Sequence, residues 1–226
     1  MKREDLAKII DYALVKPVHS KEDIERACEE VLKWGIGVLC VLPPFVELAA
    51  RLLKGSKSKV CGVAAFPFGT SPTEVKAREA RWVIERGADE LDFVMNLALF
   101  KSGFRELVLE DLRRVVEEAR DAGSSLGKQV IVKVIIETGY LTPMEIMEAS
   151  RLVEEAGADY VKTCTGFGPR GATLEDVRLI LSAVRKVKVK AAGGISSYDK
   201  AVKFVQAGAS RIGTSRALEI LRQAPP

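Results

Sequence analysis

Three stretches of the chain repeat one phrase: Glu85-Arg-Gly-Ala-Asp-Glu-Leu-Asp92, Glu155-Ala-Gly-Ala-Asp-Tyr-Val-Lys162 and Gln206-Ala-Gly-Ala-Ser-Arg-Ile-Gly213. A weaker copy, Lys33-Trp-Gly-Ile-Gly-Val-Leu-Cys40, lies upstream. In each, an amphipathic charged segment stops at a glycine suited to the left-handed position past a helix, and a short apolar or β-branched run follows. The phrase reads helix, stop, strand. Working outward, strands are expected at 9–14, 37–42, 60–65, 90–95, 130–136, 159–163, 187–191 and 210–213. Helical patterns lie between them at 21–33, 73–86, 105–120, 143–155, 173–185 and 197–206. Ser20, Thr142 and Thr173 stand where N-caps belong, with Pro143 in a first turn. Strict alternation implies parallel strands, and eight of them in 226 residues predict an α/β fold of one domain over 1–226, the (β/α)8 TIM barrel. No G-x-G-x-x-G follows the first strand, which disfavours the open doubly wound sheet.

Composition narrows the partners. Lys plus Arg number 35 against 31 Asp plus Glu, a net +4 with no block of like charge, so nothing points to nucleic acid or an anionic membrane. No apolar run approaches the roughly 18 residues of a spanning helix, and the start is polar; a soluble, cytoplasmic protein is expected. Cys28, Cys40, Cys61 and Cys164 are far apart and form no C-x-x-C, so all four read as free, buried thiols. A single histidine, His19, leaves little from which to build a zinc site, a two-His iron site or a Ser-His-Asp triad. His19 itself reads as a surface or cap residue, Trp34 and Trp82 as core or interface anchors. Chemistry then falls to Lys, Asp, Glu, Cys or backbone, with no metal or cofactor expected.

Strands covered by helices should be apolar on both faces. Several here are not: Asp11, Asp92, Lys133, Lys162, Lys188 and Lys190 interrupt strand segments. Side-chain alternation turns Val132, Val134 and Ile136 toward the helices and so sends Lys133 and Glu137 inward; Val161 and Val189 do the same for Lys162 and Lys190. Taken singly, each charge fits a buried ion-pair lattice as well as a site. Taken together, Lys162, Lys190 and Asp92 fall near the carboxyl ends of their strands, the rim where barrel enzymes hold their active sites. Lys188, two residues earlier, suits a structural role. Strands 5, 6 and 7 are neighbours about 4.8 Å apart, so the amines of Lys133, Lys162 and Lys190 should repel and leave one with a depressed pKa, nucleophilic near neutrality. Such an amine forms an imine with a carbonyl compound without metal or histidine. Gly166-Phe-Gly168, Gly193-Gly194 and Gly213-Thr-Ser215 follow strands 6, 7 and 8, where backbone N–H groups close around anions. A phosphorylated carbonyl substrate is expected.

These residues resemble the deoxyribose-phosphate aldolase family from Ile10 to about Ser215. The resemblance rests on Ile10-Asp-Tyr-Ala-Leu-Val-Lys-Pro17, Cys40-Val41 with Pro43, Phe66-Pro-Phe-Gly69 with Thr73-Glu-Val-Lys76, and Lys133-Val-Ile-Ile-Glu-Thr138. It rests most of all on Gly157-Ala-Asp-Tyr-Val-Lys-Thr-Cys-Thr-Gly-Phe-Gly168, Val189-Lys-Ala-Ala-Gly-Gly194 and Arg211-Ile-Gly-Thr-Ser215. It implies reversible cleavage of 2-deoxy-D-ribose 5-phosphate to D-glyceraldehyde 3-phosphate and acetaldehyde. Lys162 would form the Schiff base, Lys190 lower its pKa, and Asp92 transfer protons through water, with Lys133 in the same network. Asp11 and Cys40 would line the pocket, and Thr165, Gly166, Gly193, Gly194, Gly213, Thr214 and Ser215 would hold substrate. A homo-oligomer, dimer or tetramer, is implied as well. The family usually has His-Thr at Tyr12-Ala13, Asn at Leu42, Arg at Ser196 and Ser at Arg216. These departures make one side of the pocket more apolar and remove an arginine, which Arg216 is expected to replace as a phosphate contact. The rival readings are another phosphosugar aldolase or isomerase on the same barrel, or a phosphosugar-binding sensor without chemistry.

Overall fold

Eight short strands form the interior of the computed structural model, which describes residues 1–226. They are β1 (Ile10–Leu14), β2 (Val38–Val41), β3 (Lys59–Ala64), β4 (Glu90–Val94), β5 (Ile131–Ile135), β6 (Tyr160–Lys162), β7 (Lys188–Ala192) and β8 (Arg211–Thr214). Each pairs in parallel with the next, and β1 pairs with β8 to close the barrel. The eight-stranded (β/α)8 architecture is therefore the one expected.

The six expected helices are α2 (Lys21–Trp34), α4 (Thr73–Glu85), α6 (Arg105–Ser125), α7 (Pro143–Glu155), α8 (Leu174–Ala183) and α9 (Tyr198–Gln206). Ser20, Thr142 and Thr173 each accept from the backbone N–H three residues on, and each closes a capping box. Such a cap stabilises a helix by about 1 kcal/mol. In the repeated phrase, Gly87, Gly157 and Gly208 have φ of 109°, 79° and 107°, the left-handed stop that side chains disfavour.

Four short helices complete the shell: α1 (Arg3–Ile9), α3 (Val46–Leu52), α5 (Leu97–Lys101) and α10 (Ala217–Gln223). α1 runs straight into β1, so Ile9 is helical rather than the first strand residue. Helices of five to seven residues are not stable alone, and tertiary contacts decide them. For α1 these are visible: Arg3 donates to the carbonyls of Leu221 and Ala224, both at 3.0 Å, and Gly37 N–H donates to Ala7 O at 2.9 Å.

Two interiors result. Outward-facing strand residues such as Leu91, Phe93, Val132, Val134, Val161 and Val189 are fully buried beneath the helices in one continuous apolar layer. Inside the barrel a small separate cluster, Val38, Cys40, Cys61 and Val63, fills only the side formed by β2 and β3. The rest of the interior holds the ionic side chains of β4 to β8 and Asp11 of β1, with Tyr160 among them. All four cysteines are free and buried. His19 sits beside Asp23 at the start of α2 with Nδ1 3.8 Å from Oδ2, as befits a cap residue. No helix is long and apolar enough to cross a membrane.

Candidate active site

β4 to β8 and β1 each turn one or two ionic side chains into the barrel at matching heights. Register pairs Asp92 with Lys133 on β5, and Lys162 with Lys190 across β6 and β7. Asp92 lies at the centre. Its Oδ2 accepts from Lys162 Nζ and Lys190 Nζ, both at 2.7 Å. Its Oδ1 accepts from Lys133 Nζ at 2.9 Å and from the Cys61 thiol at 3.1 Å. Beneath it, Lys190 Nζ is 2.5 Å from Asp11 Oδ2, and Lys133 Nζ is 2.6 Å from Glu90 Oε2. Arg211 closes the base, donating to Asp11 Oδ1 at 2.9 Å and Glu90 Oε1 at 3.0 Å. Four cations thus meet three carboxylates with almost no exposure. An isolated charge at such depth would be untenable; interleaving makes it tolerable, because every member faces opposite charge.

This interleaving fixes the charge of two of the three lysines expected to crowd one another. Burial acts to deprotonate Lys190, but Asp11 and Asp92 outweigh it and its pKa is raised. Lys133 is likewise pulled down by burial yet held well above the usual range by Asp92, Cys61, Glu90 and Asp11. Asp92 shows the reciprocal effect: burial pushes it up, while Lys133, Lys162 and Lys190 hold it well below an ordinary carboxylate. The lysines repel as expected, but each pair has a carboxylate between its members.

Above this lattice lies a cavity of about 210 Å³. Lys162, the last residue of β6, and Lys190 reach it from below. Thr165 and Gly166, Gly193 and Gly194, and Gly213, Thr214 and Ser215 form its walls from the loops after β6, β7 and β8. The expected binding loops are therefore brought together. Asp92, Lys133, Asp11 and Cys40 are not in the wall. Asp11 and Cys40, expected to line the pocket, are 0% and 1% exposed: Asp11 is drawn down by Lys190 and Arg211, and Cys40 packs into the apolar cluster. Lys188 is exposed at the opposite end, its Nζ 6.0 Å from the Tyr160 ring, in keeping with a structural role.

The walls have local causes. At Gly213 a Cβ would stand 2.8 Å from the Ala192 Cβ and 3.1 Å from Lys190 Cε, so glycine is what lets Lys190 pass upward. Gly193 and Gly194 have φ of 100° and 72°, and their N–H groups, with that of Ser215, have no acceptor in the chain. Unpaired N–H groups beside the start of α9 form an anion-binding surface. Thr214 Oγ1 donates to Ile195 O at 2.7 Å and accepts from Arg216 N–H at 2.9 Å, tying two loops together. Glu137, turned inward as alternation required, accepts from the N–H and hydroxyl of Thr165 and so anchors the loop after β6. Lys16 and Arg216 add positive charge at the wall; Arg216 is paired to Glu219 at 2.8 Å. Phe66 and Phe167 meet edge to face 5.5 Å apart, with Lys162 Nζ 6.0 Å from the Phe66 ring.

Sequence reasoning missed Glu90, Arg211 and Cys61. Glu90 and Asp92 share a strand face, as do Arg211 and Gly213, so alternation could have found both. Cys61 carries no charge and gave no such signal. The donor atoms of Cys40, Cys61 and Asp92 lie within 4.8 Å of one another, a set that could attract a soft cation. Lys133 already faces both Cys61 Sγ, at 3.4 Å, and Asp92, so ammonium charge fills that role.

Comparisons with known proteins show what the chain as a whole is similar to. The sequence model for DeoC/LacD family aldolases matches residues 7–222. A deoxyribose-phosphate aldolase of Carboxydothermus hydrogenoformans is 48% identical over 218 residues, covering 96% of this chain and 94% of that protein. One of Thermococcus gammatolerans is 48% identical over 223 residues, covering 97% and 96%. The solved structure of "QR15, an Aldolase" superposes with a TM-score of 0.89 at 43% identity, covering 96% of this chain and 95% of that one. The tetrameric deoxyribose phosphate aldolase of Aeropyrum pernix gives 0.88 at 35% identity, covering 97% and 91%. With a lysine-carboxylate lattice under a glycine-walled cavity and matches across nearly its whole length, the chain belongs to the DeoC/LacD family of aldolases.

Proposed function

We propose that this aldolase cleaves 2-deoxy-D-ribose 5-phosphate reversibly to D-glyceraldehyde 3-phosphate and acetaldehyde through a Schiff base on Lys162. The observation that carries this reading is the placement of Lys162 Nζ at the cavity floor, 2.7 Å from Asp92 Oδ2. Asp92 takes a proton from the Lys162 ammonium, the free amine attacks C1 of the open-chain sugar to give a carbinolamine, and Asp92 returns that proton to the carbinolamine hydroxyl, which leaves as water to give the cationic imine and an ionised Asp92. Lys190 keeps its charge beside both groups and donates to Asp92 Oδ2 at 2.7 Å. The cationic imine draws in the electron pair of the C2–C3 bond as it breaks, while the C3 hydroxyl proton passes by way of water to Asp92. The enamine left on Lys162 is protonated at carbon and hydrolysed, releasing acetaldehyde. Lys133 orients Asp92. The phosphate end sits against the N–H groups of Gly193, Gly194 and Ser215, with Thr165, Gly166, Gly213 and Thr214 shaping the wall and Arg216 supplying charge.

The test is incubation with acetaldehyde and borohydride followed by peptide mapping: an ethyl group on Lys162, absent from Lys162→Ala, is expected. A phosphosugar isomerase or a binding sensor would give no adduct, and an adduct elsewhere would move the nucleophile. The substrate is supported by the two deoxyribose-phosphate aldolases that are 48% identical to this chain. We further infer a cytoplasmic homo-oligomer, dimer or tetramer, acting on free sugar phosphate and aldehyde without nucleic acid or membrane. The tetrameric relative supports the assembly, and sedimentation would measure it.

A further inference from the structure

We propose that Cys61 is a positioning residue for the aldol chemistry: its thiol holds Asp92 through Oδ1 and so presents Oδ2 to the reacting amine. The inference rests on the role given above to Lys162 and Asp92. Cys61 is on β3, fully buried, with Sγ 3.1 Å from Asp92 Oδ1 and 3.5 Å from Gly62 O. Lys133 Nζ donates to the same sulfur at 3.4 Å. With a cation on the lone-pair side and a carboxylate ahead, the thiol is polarised as a donor toward Asp92.

The pattern around Asp92 is two donors on each oxygen. Oδ2 takes Lys162 and Lys190; Oδ1 takes Lys133 and Cys61. Cys61 is the one neutral donor of the four and the sole polar group that β3 brings to the lattice, since its inward neighbour is Val63. Lys133, Lys162 and Lys190 all pull on the carboxylate from the β5 to β7 side of β4, and the balance of that pull changes when the Lys162 contact is exchanged for an imine. Cys61 holds Oδ1 from β3, on the other side of β4, and so keeps the carboxylate from turning with it. A thiol is also the weakest donor that can do this. It fixes the carboxylate while stabilising its anion less than a hydroxyl would, which leaves Oδ2 more able to take a proton.

The groups facing Asp92 from every neighbouring element are Cys61 on β3, Lys133 on β5, Lys162 on β6 and Lys190 on β7. Asp11 on β1 and Glu90 on β4 share those lysines, Arg211 on β8 lies below, and the Cys40 thiol is within 4.8 Å. All but Cys61 remain when it alone is changed. A hydrogen bond to the charged form of an acid lowers its pKa, so loss of the thiol raises that of Asp92 and a stronger donor lowers it.

The experiment is the pH profile of kcat for deoxyribose 5-phosphate cleavage by the wild type, Cys61→Ala and Cys61→Ser. In Cys61→Ala, kcat is expected to fall roughly tenfold with KM within twofold, and the acid limb to move to higher pH. In Cys61→Ser the limb moves the opposite way and most of kcat is kept. Loss of packing lowers stability in both variants but cannot move the limb in opposite directions. Unchanged limbs, or limbs moving together, overturn the proposal. The infrared S–H stretch of the wild type, assigned by difference from Cys28, Cys40 and Cys164 single variants, gives a second readout should a Cys61 variant not fold. A band at the position of an unbonded thiol overturns the proposal. Borohydride trapping of acetaldehyde on Lys162 in the wild type tests the aldolase reading separately, so failure of one is distinguishable from failure of the other.

Discussion

The barrel interior is two half-rooms of opposite chemistry. From β4 round to β8 and on to Asp11 of β1, every strand contributes an inward ionic side chain, and these hold one another in a fixed lattice. Against β2 and β3, Val38, Cys40, Cys61 and Val63 make an apolar filling on which Ala13, Val15, Leu42 and Phe66 pack. Both halves are equally buried, so burial does not tell function from scaffold. What differs is the consequence of removing one member. In the apolar half it leaves a void; in the ionic half the loss of a carboxylate leaves uncompensated charge, which costs more and reaches the amine proposed to react.

The largest difference is expected at Lys162. Lys162→Ala should lower kcat by on the order of 10⁴-fold or more, the scale seen when a covalent nucleophile is lost, with little effect on folding. Asp92→Ala follows: kcat should fall about 10²- to 10⁴-fold, and denaturant unfolding should show a loss of about 3–5 kcal/mol because three ammonium groups lose a shared partner. Comparable kcat from this variant would remove Asp92 from proton transfer. On the apolar side, Val63→Ala opens a void and offers no new polar group, so the expected loss is about 1–3 kcal/mol with kcat within threefold. A kcat loss as large as that of Asp92→Ala would erase the distinction between the halves.

The halves should also separate by pH. Asp11 and Asp92 titrate below the ordinary 3.8 in the folded chain, so their contribution is complete above that value and is lost as pH falls through the depressed pKa values. Lys133 and Lys190 titrate above 10.5, so theirs is complete below it and is lost only as pH rises further. The stability gap between wild type and Asp92→Asn should therefore be flat from about pH 5 to 9 and shrink in acid, whereas that for Val63→Ala should not vary. A gap that changed through neutrality would contradict these directions. The smallest effect is expected outside both halves, at Arg216. It is exposed and already paired, so Arg216→Ala should reduce the preference for phosphorylated over unphosphorylated deoxyribose by about three- to tenfold in kcat/KM. No change would leave phosphate binding to the backbone and Lys16.

The ionic half was open to reading because charge in a strand is conspicuous and alternation gives its direction: Lys133, Lys162, Lys190 and Asp92 all converge as the pattern required. What the pattern could not supply was the distance between them. Without it the lysines appear as mutually repelling neighbours, whereas Asp92 and Asp11 stand between them. The apolar half was closed to reading, since Cys61 and Val63 look like any buried strand residues until Asp92 is seen 3.1 Å from the thiol. The short helices were hidden for a different reason. α1 and α10 hold through Arg3 and the carbonyls of Leu221 and Ala224, contacts between segments more than two hundred residues apart.

That clasp has a practical corollary. It ties the two ends of the polypeptide together at the amino-terminal side of the strands, the floor remote from the cavity mouth, where Arg3 N–H also donates to Pro225 O at 2.8 Å. A linker or solid support attached at either end would leave the entrance unobstructed. A peptide joining Pro225 to Arg3 would bridge a gap already closed, so new termini could be cut into a distant helix-to-strand loop.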